Sequence, residues 1–336
     1  MSLQPFLTVI TRTTGMRSTL VDTLTSLAAQ DDDDFEVRLV LNTGDPEARQ
    51  RIERLLASFE AGFTNRVHLH VVAERHRVRP LNVGLDAAAG RYVCVLDDDD
   101  IVFGDWVTQF HRHADQHGGQ VIRCRAVDQF VDALAADDGV HAVASSGFHT
   151  PYKASFDLAS HLVGGQSPQG SVAFPVDELR RRGLRFDESM VVCEDLDFLL
   201  RCVAELGVVD TGTFGMVYRR WTTSYSSMHS VSPEVWEESL QQIVAHLDKG
   251  TLVLPPGSAS RLYQAGVQEI EVNKLNEGER GLLRRAESAE RRSASLAHQY
   301  AELERRYVEL AEHVAAAETA QPRRSLRRRL SRSIRR

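Results

Sequence analysis

The sequence predicts an α/β fold with a doubly wound, mostly parallel sheet, followed by a C-terminal α-helical extension. Three observations support this prediction. Short apolar segments alternate with amphipathic segments over the first hundred residues, as expected when strands alternate with helices and pair in parallel. After residue 262 the apolar residues follow a heptad spacing instead. The charge changes too, because residues 1–260 hold 23 Lys and Arg against 36 Asp and Glu, whereas residues 261–336 hold 17 against 11.

The first half of the predicted sheet consists of four strands joined by helices. The predicted strands are FLTVIT (6–11), FEVRLVLN (35–42), VHLHVVA (67–73) and RYVCVLD (91–97). The predicted helices between them span 18–30, 46–59 and 80–89. Ligands of such sheets bind beyond the carboxyl ends of the strands. We therefore expect the chemistry to follow Ile10, Leu41 and Leu96.

The composition and charge divide the chain into three predicted segments. Pro255-Pro256-Gly257 marks a boundary, so we predict an α/β domain over 1–260, a helical or coiled-coil extension over 261–320 and a basic tail over 321–336. The heptad seam from Leu275 to Ala317 indicates a coiled coil, with a single helix packed on the α/β domain as the alternative. The tail RRSLRRRLSRSIRR contains eight arginines and no acid, so a helix there would be basic and amphipathic.

Composition argues against several classes of protein. A hydrophobic content of 42% is ordinary for a globular core. No run reaches the 18 apolar residues of a membrane-spanning helix, and the start MSLQPFLTVITR lacks the features of a secretory signal, so we expect a cytoplasmic protein. The acidic balance over 1–260 argues against nucleic acid as the main partner. The four cysteines lie in apolar stretches without a CxxC pair, which indicates buried free thiols rather than zinc or disulfides. They are Cys94, Cys124, Cys193 and Cys202.

Four consecutive aspartates, Asp97 to Asp100, follow the fourth predicted strand. Like charges packed at the carboxyl edge of a sheet are costly without a counter-ion. Mg²⁺ and Mn²⁺ prefer oxygen ligands and commonly use one or two carboxylates together with substrate phosphates. Alternate aspartates could therefore share one ion with a diphosphate. The alternative is a solvated acidic turn, which the position after the fourth strand disfavours.

Several short motifs follow one another in a specific order. In chain order they are RPLNVGLD (79–86), LDDDD (96–100), GSVAF (170–174), FDES (186–189) and EDLDF (194–198). In this order and spacing they resemble the family 2 glycosyltransferases of the GT-A fold, which carry an Asp-x-Asp motif after the strand that ends the nucleotide-binding half. The resemblance covers about residues 5–225. It implies a GT-A catalytic domain over residues 1–260, with a Rossmann-like nucleotide-binding half and an acceptor half.

The resemblance assigns the acidic run to the metal and the donor. Asp97 and Asp99 would hold Mn²⁺ or Mg²⁺, with Asp99 as the more direct ligand. Asp97 and Asp98 would also contact the nucleotide sugar. His229 lies where some relatives supply a third metal ligand, although a plain loop histidine is the alternative.

The resemblance also implies a general base. Asp195 would remove a proton from the acceptor hydroxyl as it attacks the sugar carbon, and one carboxylate suffices for an inverting displacement. Glu194 would orient the loop or the acceptor. The alternative for Glu194, Asp195 and Asp197 is the first turn of a helix, where acids are favourable. Both interpretations can hold together.

Four further residues are candidates for binding the nucleotide sugar. Thr11 and Thr13 replace the usual Pro-x-Tyr-Asn of the family and could line the base pocket. Asn42 stands where the family usually has an aspartate that contacts the nucleobase. Arg79 could meet the diphosphate, with a lone surface arginine as the alternative.

The expected function is an inverting, divalent-metal-dependent glycosyltransferase that moves a sugar from a nucleotide-diphosphate sugar to an acceptor hydroxyl, in cell-surface glycan or glycolipid synthesis. Expected partners are the donor, a glycan or glycolipid acceptor, and a second copy through the coiled coil. The tail is expected to contact the inner face of an anionic membrane, with nucleic-acid binding or an unstructured end that serves solubility as the alternatives. The alternative is a catalytically silent nucleotide-sugar-binding or scaffold protein. A Rossmann dehydrogenase is disfavoured because no GxGxxG follows the first strand.

Overall fold

The computed structural model describes residues 4–136, 139–222 and 231–250 and a few helical positions beyond them (260, 263, 264, 293, 298, 301, 302, 305 and 306). The chain separates into two compact units, residues 1–255 and 256–336. The first unit contains the sheet, and the following paragraphs concern that unit.

The N-terminal half of the sheet follows the predicted alternation of strands and helices. Its elements are β1 (Leu7–Thr13), α1 (Leu20–Ala28), β2 (Phe35–Leu41), α2 (Pro46–Leu56), α3 (Ala61–Thr64), β3 (Val67–Val71), α4 (Arg79–Asp86) and β4 (Tyr92–Val95). β1 pairs in parallel with both β2 and β4, and β3 extends the sheet beyond β2. The carboxyl ends of β1, β2 and β4 therefore meet at one edge, which is where the sequence predicts the ligand.

The second half adds five strands around the first four. Its elements are β5 (Ile101–Val102), α5 (Trp106–Gln116), β6 (Val121–Ala136), β7 (Gly139–His149), α6 (Leu158–Val163), a 3-10 helix (Gln169–Ser171), β8 (Val172–Pro175), α7 (Val176–Arg182), α8 (Glu194–Leu206), β9 (Val208–Trp221) and α9 (Pro233–Leu247). β6 and β7 form a long hairpin. Val140, near the tip of this hairpin, accepts a hydrogen bond from Ser18 Oγ through its carbonyl.

The nine strands lie in one sheet in the order β3-β2-β1-β4-β8-β6-β9-β5, with β7 paired to β6. β8 is antiparallel to both β4 and β6, so β4 and β6 point the same way. β9 is parallel to β6, whereas β5 and β7 run antiparallel to their partners. Six of the nine strands therefore share one direction, and the prediction of a mixed α/β sheet that is mostly parallel is confirmed.

Helices cover both faces of the sheet because alternate strand residues are apolar on each side. One core lies around Leu7, Leu24 and Trp106, and the other lies around Ile10 and Phe198. Each such side chain contributes about 1.5–3 kcal/mol when it is fully buried. These two cores fix the carboxyl ends of β1, β2 and β4, which form the edge of the sheet where the ligand is predicted to bind.

Close approach of α4 to β1 depends on a glycine. A Cβ on Gly84 would lie 2.6 Å from Cγ2 of Ile10, so only glycine lets the helix pack at this distance. The helix begins where His76 Nδ1 accepts hydrogen bonds from the backbone N–H groups of Val78 and Arg79 (3.1 and 3.0 Å). Such a side-chain cap satisfies amides that the helix leaves unpaired.

A smaller apolar cluster joins α9 to α8. Met190, Leu196 and Leu200 pack there with Ile243 and Leu247 of α9. Helix α8, which contains the predicted Glu-Asp pair, is thus buried between the main sheet and α9.

The predicted free thiols are confirmed, since all four cysteines are buried and unbonded to one another. In the described parts of the chain, no helix has the length and hydropathy to cross a membrane. The heptad seam over 275–317 lies almost wholly outside the described residues, and the tail over 321–336 lies wholly outside them. The coiled coil and the basic tail therefore stay predictions.

Candidate active site

The four consecutive aspartates follow the end of β4, and each has different partners. Asp97 accepts a hydrogen bond from Arg12 (3.2 Å), and its side chain is 29% exposed. Asp98 is buried, and its carboxylate accepts from the Thr13 hydroxyl at 2.6 Å. Asp100 is 2% exposed and caps a backbone N–H of β9. The run is therefore largely built into the protein, which excludes the solvated-turn alternative.

Asp99 is bound by two side chains that the sequence motifs did not indicate. Arg17 Nη1 lies 2.5 Å from Asp99 Oδ2 and 3.3 Å from Asp98 Oδ1. The indole Nε1 of Trp221, at the end of β9, donates to the same Asp99 oxygen at 2.8 Å. These donors fix the orientation of the Asp99 carboxylate at the ligand edge.

Burial and mutual repulsion disfavour the ionised forms of three of the four aspartates. Burial and the charge of Asp99 raise the pKa of Asp98 to about 6. Burial also raises the pKa of Asp99, despite the opposing charge of Arg17. The pKa of Asp100 is raised well above its usual value, again mainly by burial and then by Asp99. A site that disfavours ionised carboxylates in this way favours a further cation.

Glu194, the first residue of α8, is fully buried and bound by two arginines. Arg12 Nη1 donates to its Oε1 at 2.8 Å, and Arg77 Nε donates to its Oε2 at 2.7 Å. Burial alone would raise the pKa of Glu194, but the charges of Arg12 and Arg77 together lower it. Because Arg12 also binds Asp97, it connects the aspartate run to the start of α8.

Asp195 follows in the first turn of α8 and is half-buried. It lines a small, mainly apolar cavity of about 10 Å³ together with residues such as Ser167, Gln169 and Phe198. Burial, and then the charge of Glu194, raise the pKa of Asp195 to about 6. An aspartate with this pKa stays mostly ionised at neutral pH and accepts a proton more readily than an ordinary aspartate. Its position and pKa suit a general base.

The residue before this pair, Cys193, has a left-handed backbone with φ of 61°. It is the one non-glycine residue with positive φ in the described parts of the chain. Such a conformation costs a side-chain-bearing residue about 1–2 kcal/mol and is often found beside functional groups. The turn directs Glu194 into the protein.

Asp197 has a structural role. Its buried carboxylate accepts from Arg201 at 2.9 and 2.6 Å and contacts His246 Nδ1 of α9 at 2.7 Å. The helix-start interpretation of the acidic segment is confirmed, because α8 begins at Glu194 and has three acids in its first turn.

The predicted nucleotide-binding residues have diverse surroundings. Thr11 is completely buried, and its hydroxyl has no hydrogen-bond partner among the described residues. Thr13 holds Asp98. The Asn42 amide exchanges two hydrogen bonds with the backbone of His76, at 2.8 and 3.1 Å. Arg79 is exposed and pairs with acidic side chains. His229 lies outside the described residues.

Four site residues were not among the predicted ones: Arg12, Arg17, Arg77 and Trp221. Arg12 is the one charged residue inside the apolar run of β1, which is a detectable signal. The other three lie at separate places in the sequence: two loops contain Arg17 and Arg77, and Trp221 ends β9. No local spacing therefore connects them with the aspartate run.

The oxygen ligands at the aspartate run are compatible with a divalent cation bound together with phosphates. In the described residues, no group of three or more His, Cys, Asp or Glu side chains is arranged to hold a metal. Asp97 and Asp99 nevertheless offer hard oxygen ligands within a run of carboxylates in which burial and mutual repulsion raise the pKa values of Asp98, Asp99 and Asp100. Mg²⁺ bound with substrate phosphates needs only one or two protein carboxylates. The residues present therefore fit such an ion.

Comparison with solved structures shows that the fold is shared with S. aureus TarS. TarS 1-349 has a TM-score of 0.52 and 17% identity, over 71% of this chain and 64% of that chain. TarS 1-349 in complex with UDP-GlcNAc has a TM-score of 0.55 and 17% identity, over 71% and 66%. A longer TarS structure has a TM-score of 0.51 and 18% identity, over 71% and 39%. This chain thus spans less than two thirds of each of these proteins.

No curated protein matches the chain. The model of the family described as "Glycosyl transferase family 2" matches residues 8–139, a segment that includes the end of β1 and the whole aspartate run. The resemblance drawn from the motifs is confirmed over this segment, because residues 8–139 match the model of glycosyl transferase family 2.

Proposed function

We propose that the protein transfers a sugar, with inversion, from a nucleoside diphosphate sugar to an acceptor hydroxyl, with the help of Mn²⁺ or Mg²⁺. One observation carries this proposal. Arg12 binds Asp97 and Glu194 at once, so the donor motif and the residue next to the candidate base are held together. The charge of Asp97 also contributes to the raised pKa of Asp195.

The proposed donor is a UDP sugar. TarS 1-349, which shares the fold, was crystallised in complex with UDP-GlcNAc, so UDP-GlcNAc is the first donor to test. Thr13 and Asp98, which are joined to each other, lie at the carboxyl edge of the sheet where the nucleotide would bind. Thr11, Asn42 and Arg79 remain proposed contributors to this site.

In the proposed mechanism, Asp195 accepts the proton of the acceptor hydroxyl while the oxygen attacks the anomeric carbon. Glu194 positions this base, because its two arginine partners fix the start of α8. Asp97 and Asp99 would hold the ion, which when bound supplies positive charge to the departing diphosphate. A single base suffices, since the diphosphate leaves without needing a proton.

A thermal-shift screen tests the donor proposal. The full chain is heated with UDP-GlcNAc, with other nucleotide sugars and with free nucleotides, each with and without Mn²⁺. A ligand that binds only the folded state raises the apparent stability by about 2.7 kcal/mol at one hundred times its Kd. We expect a metal-dependent shift with UDP-GlcNAc or another UDP sugar. Equal shifts with every nucleotide base, or none with any, would contradict the proposal.

A cell-surface glycan or glycolipid is the proposed acceptor, and the basic tail over 321–336 is the proposed membrane contact. An arginine near an anionic surface contributes on the order of 1 kcal/mol. Association through the predicted coiled coil would strengthen binding by avidity. Liposome flotation tests this part: the full chain should float with anionic but not neutral vesicles, and a chain ending at Pro322 should not float.

A further inference from the structure

Arg17 is a partly exposed counter-ion of the aspartate run. Its Nη1 atom lies 2.5 Å from Asp99 Oδ2 and 3.3 Å from Asp98 Oδ1. The Arg17 side chain is 28% exposed, whereas those of Asp98 and Asp99 are 9% and 14% exposed. The Arg17 side chain is thus more exposed than either of the two carboxylates that it pairs with.

The backbone that carries Arg17 is anchored independently of this ion pair. Ser18 Oγ donates to the carbonyl of Val140 at 2.6 Å, and Arg17 forms an isolated parallel bridge with Val140 at the hairpin tip. Arg51 of α2 donates to the carbonyl of Gly15 at 3.2 Å. The loop is therefore held at both ends, and the long arginine side chain can change rotamer without a change in the backbone.

A guanidinium and a divalent cation compete for the same carboxylate. Mg²⁺ binds oxygen at about 2.0–2.1 Å, and a unit positive charge already within hydrogen-bond distance of that oxygen repels it. Arg12 differs from Arg17, because Arg12 is also bound to the buried Glu194. Of the two arginine side chains that pair with Asp97, Asp98 or Asp99 in the described part of the chain, that of Arg17 is the more exposed, at 28% against 16%.

We propose that Arg17 is a resident counter-ion of Asp98 and Asp99, which a divalent cation displaces and which then pairs with the diphosphate of the donor. This inference rests on the proposed metal role of Asp99. It has a thermodynamic consequence. The ion alone must break the Arg17 pair, whereas the ion with a diphosphate offers the guanidinium a new anionic partner. Metal and nucleotide therefore bind cooperatively, and the effect of each on the other is equal.

The test measures Mn²⁺ binding directly, from the electron paramagnetic resonance signal of the free ion, with and without UDP. The full chain is compared with Arg17→Gln, which removes the charge, and with Arg17→Lys, which keeps it. Arg51→Gln is the matched control, since it removes the same charge and a contact to the same loop. Circular dichroism and thermal unfolding verify that each variant is folded.

We expect Arg17→Gln to bind Mn²⁺ alone on the order of tenfold more tightly than the wild type, a coupling within the usual range. UDP should then strengthen Mn²⁺ binding less in Arg17→Gln than in the wild type. Arg17→Lys and Arg51→Gln should resemble the wild type. The inference is overturned if the wild type and Arg17→Gln bind Mn²⁺ with equal affinity, or if Arg51→Gln raises the Mn²⁺ affinity as much as Arg17→Gln does. Neither result would contradict the proposed metal role of Asp99. If Asp99→Asn also binds Mn²⁺ as the wild type does, the metal role of Asp99 itself is wrong.

Discussion

Arg12 donates to Glu194 at 2.8 Å, which ties the end of the first strand to the first turn of α8. The two residues are 182 positions apart in the chain. The bond holds the Glu194-Asp195 pair next to the end of β1 in the nucleotide-binding half. Removal of either partner should therefore affect stability as well as chemistry.

Glu194→Gln should lower the free energy of unfolding by about 3 kcal/mol at pH 7, because Arg12 and Arg77 would lose their buried anionic partner. The pKa of Glu194 is lowered in the folded state, so its stabilisation is present above the unfolded pKa of about 4.3 and is lost as the pH falls through the folded value. Urea unfolding at several pH values should show the difference between wild type and variant shrinking in acid. Glu74→Gln, at an exposed partner of Arg79, should change stability by less than about 0.5 kcal/mol.

Asp195→Asn should keep donor binding but lower kcat by about 10²–10⁴, because an amide cannot accept the acceptor proton. In the wild type, kcat should rise with pH through about 6, since the base acts only when ionised and its pKa is raised to about 6. Steady-state kinetics and donor calorimetry check both expectations. Asp86→Asn, at a surface pair with Arg185, is the control. Unchanged kcat in Asp195→Asn would assign the base elsewhere.

Asp99→Asn should abolish metal-dependent UDP binding and leave the fold intact, because the amide oxygen is a weaker ligand without the negative charge. Isothermal calorimetry with UDP, in Mn²⁺ and in a chelator, measures this difference. Asp115→Asn removes an exposed carboxylate paired with Arg91 and should bind as the wild type does. A metal-dependent affinity that survives in Asp99→Asn would show that Asp99 is not a ligand.

Substitutions of Cys193 should separate backbone strain from packing. Cys193→Val should lower stability by about 2 kcal/mol, because a β-branched residue tolerates φ of 61° poorly. Cys193→Gly should stay within about 1 kcal/mol of the wild type, since glycine adopts this conformation freely and the gain offsets the lost burial of the thiol. Denaturant unfolding measures the free energy of unfolding of both variants and shows which of them is more stable. The reverse order would mean that packing, rather than the left-handed turn, dominates at this position.

Much of the fold and part of the site could be predicted from local patterns. The four N-terminal strands, the helices between them and the place of Asp97 after β4 follow from the alternation of apolar and amphipathic segments. The resemblance to family 2 came from motif order, and the family match confirms it. The role of Asp195 as general base is what the resemblance to family 2 implies, and it stays a prediction.

The charge network could not be predicted, because its members come from separate elements. Arg17 and Asp99 are brought together because the loop after β1 passes the end of β4. Trp221 lies at the end of β9, 122 residues after Asp99 in the chain. Asn42 illustrates the opposite difficulty. It occupies the position where a nucleobase ligand was expected, but its amide is already bonded to the His76 backbone.

The hydrogen bond from Trp221 to Asp99 gives the protein a natural optical reporter. Of the three tryptophans in the sequence, Trp106 is completely buried and donates to the carbonyl of Gly170, and Trp236 lies on α9. Trp221 is thus the indole placed to sense a rearrangement of the aspartate run. The intrinsic fluorescence of Trp221 should change when a cation or a nucleotide binds. Trp221→Phe should abolish this change. Stopped-flow fluorescence could therefore measure the rate of ligand binding without an attached dye.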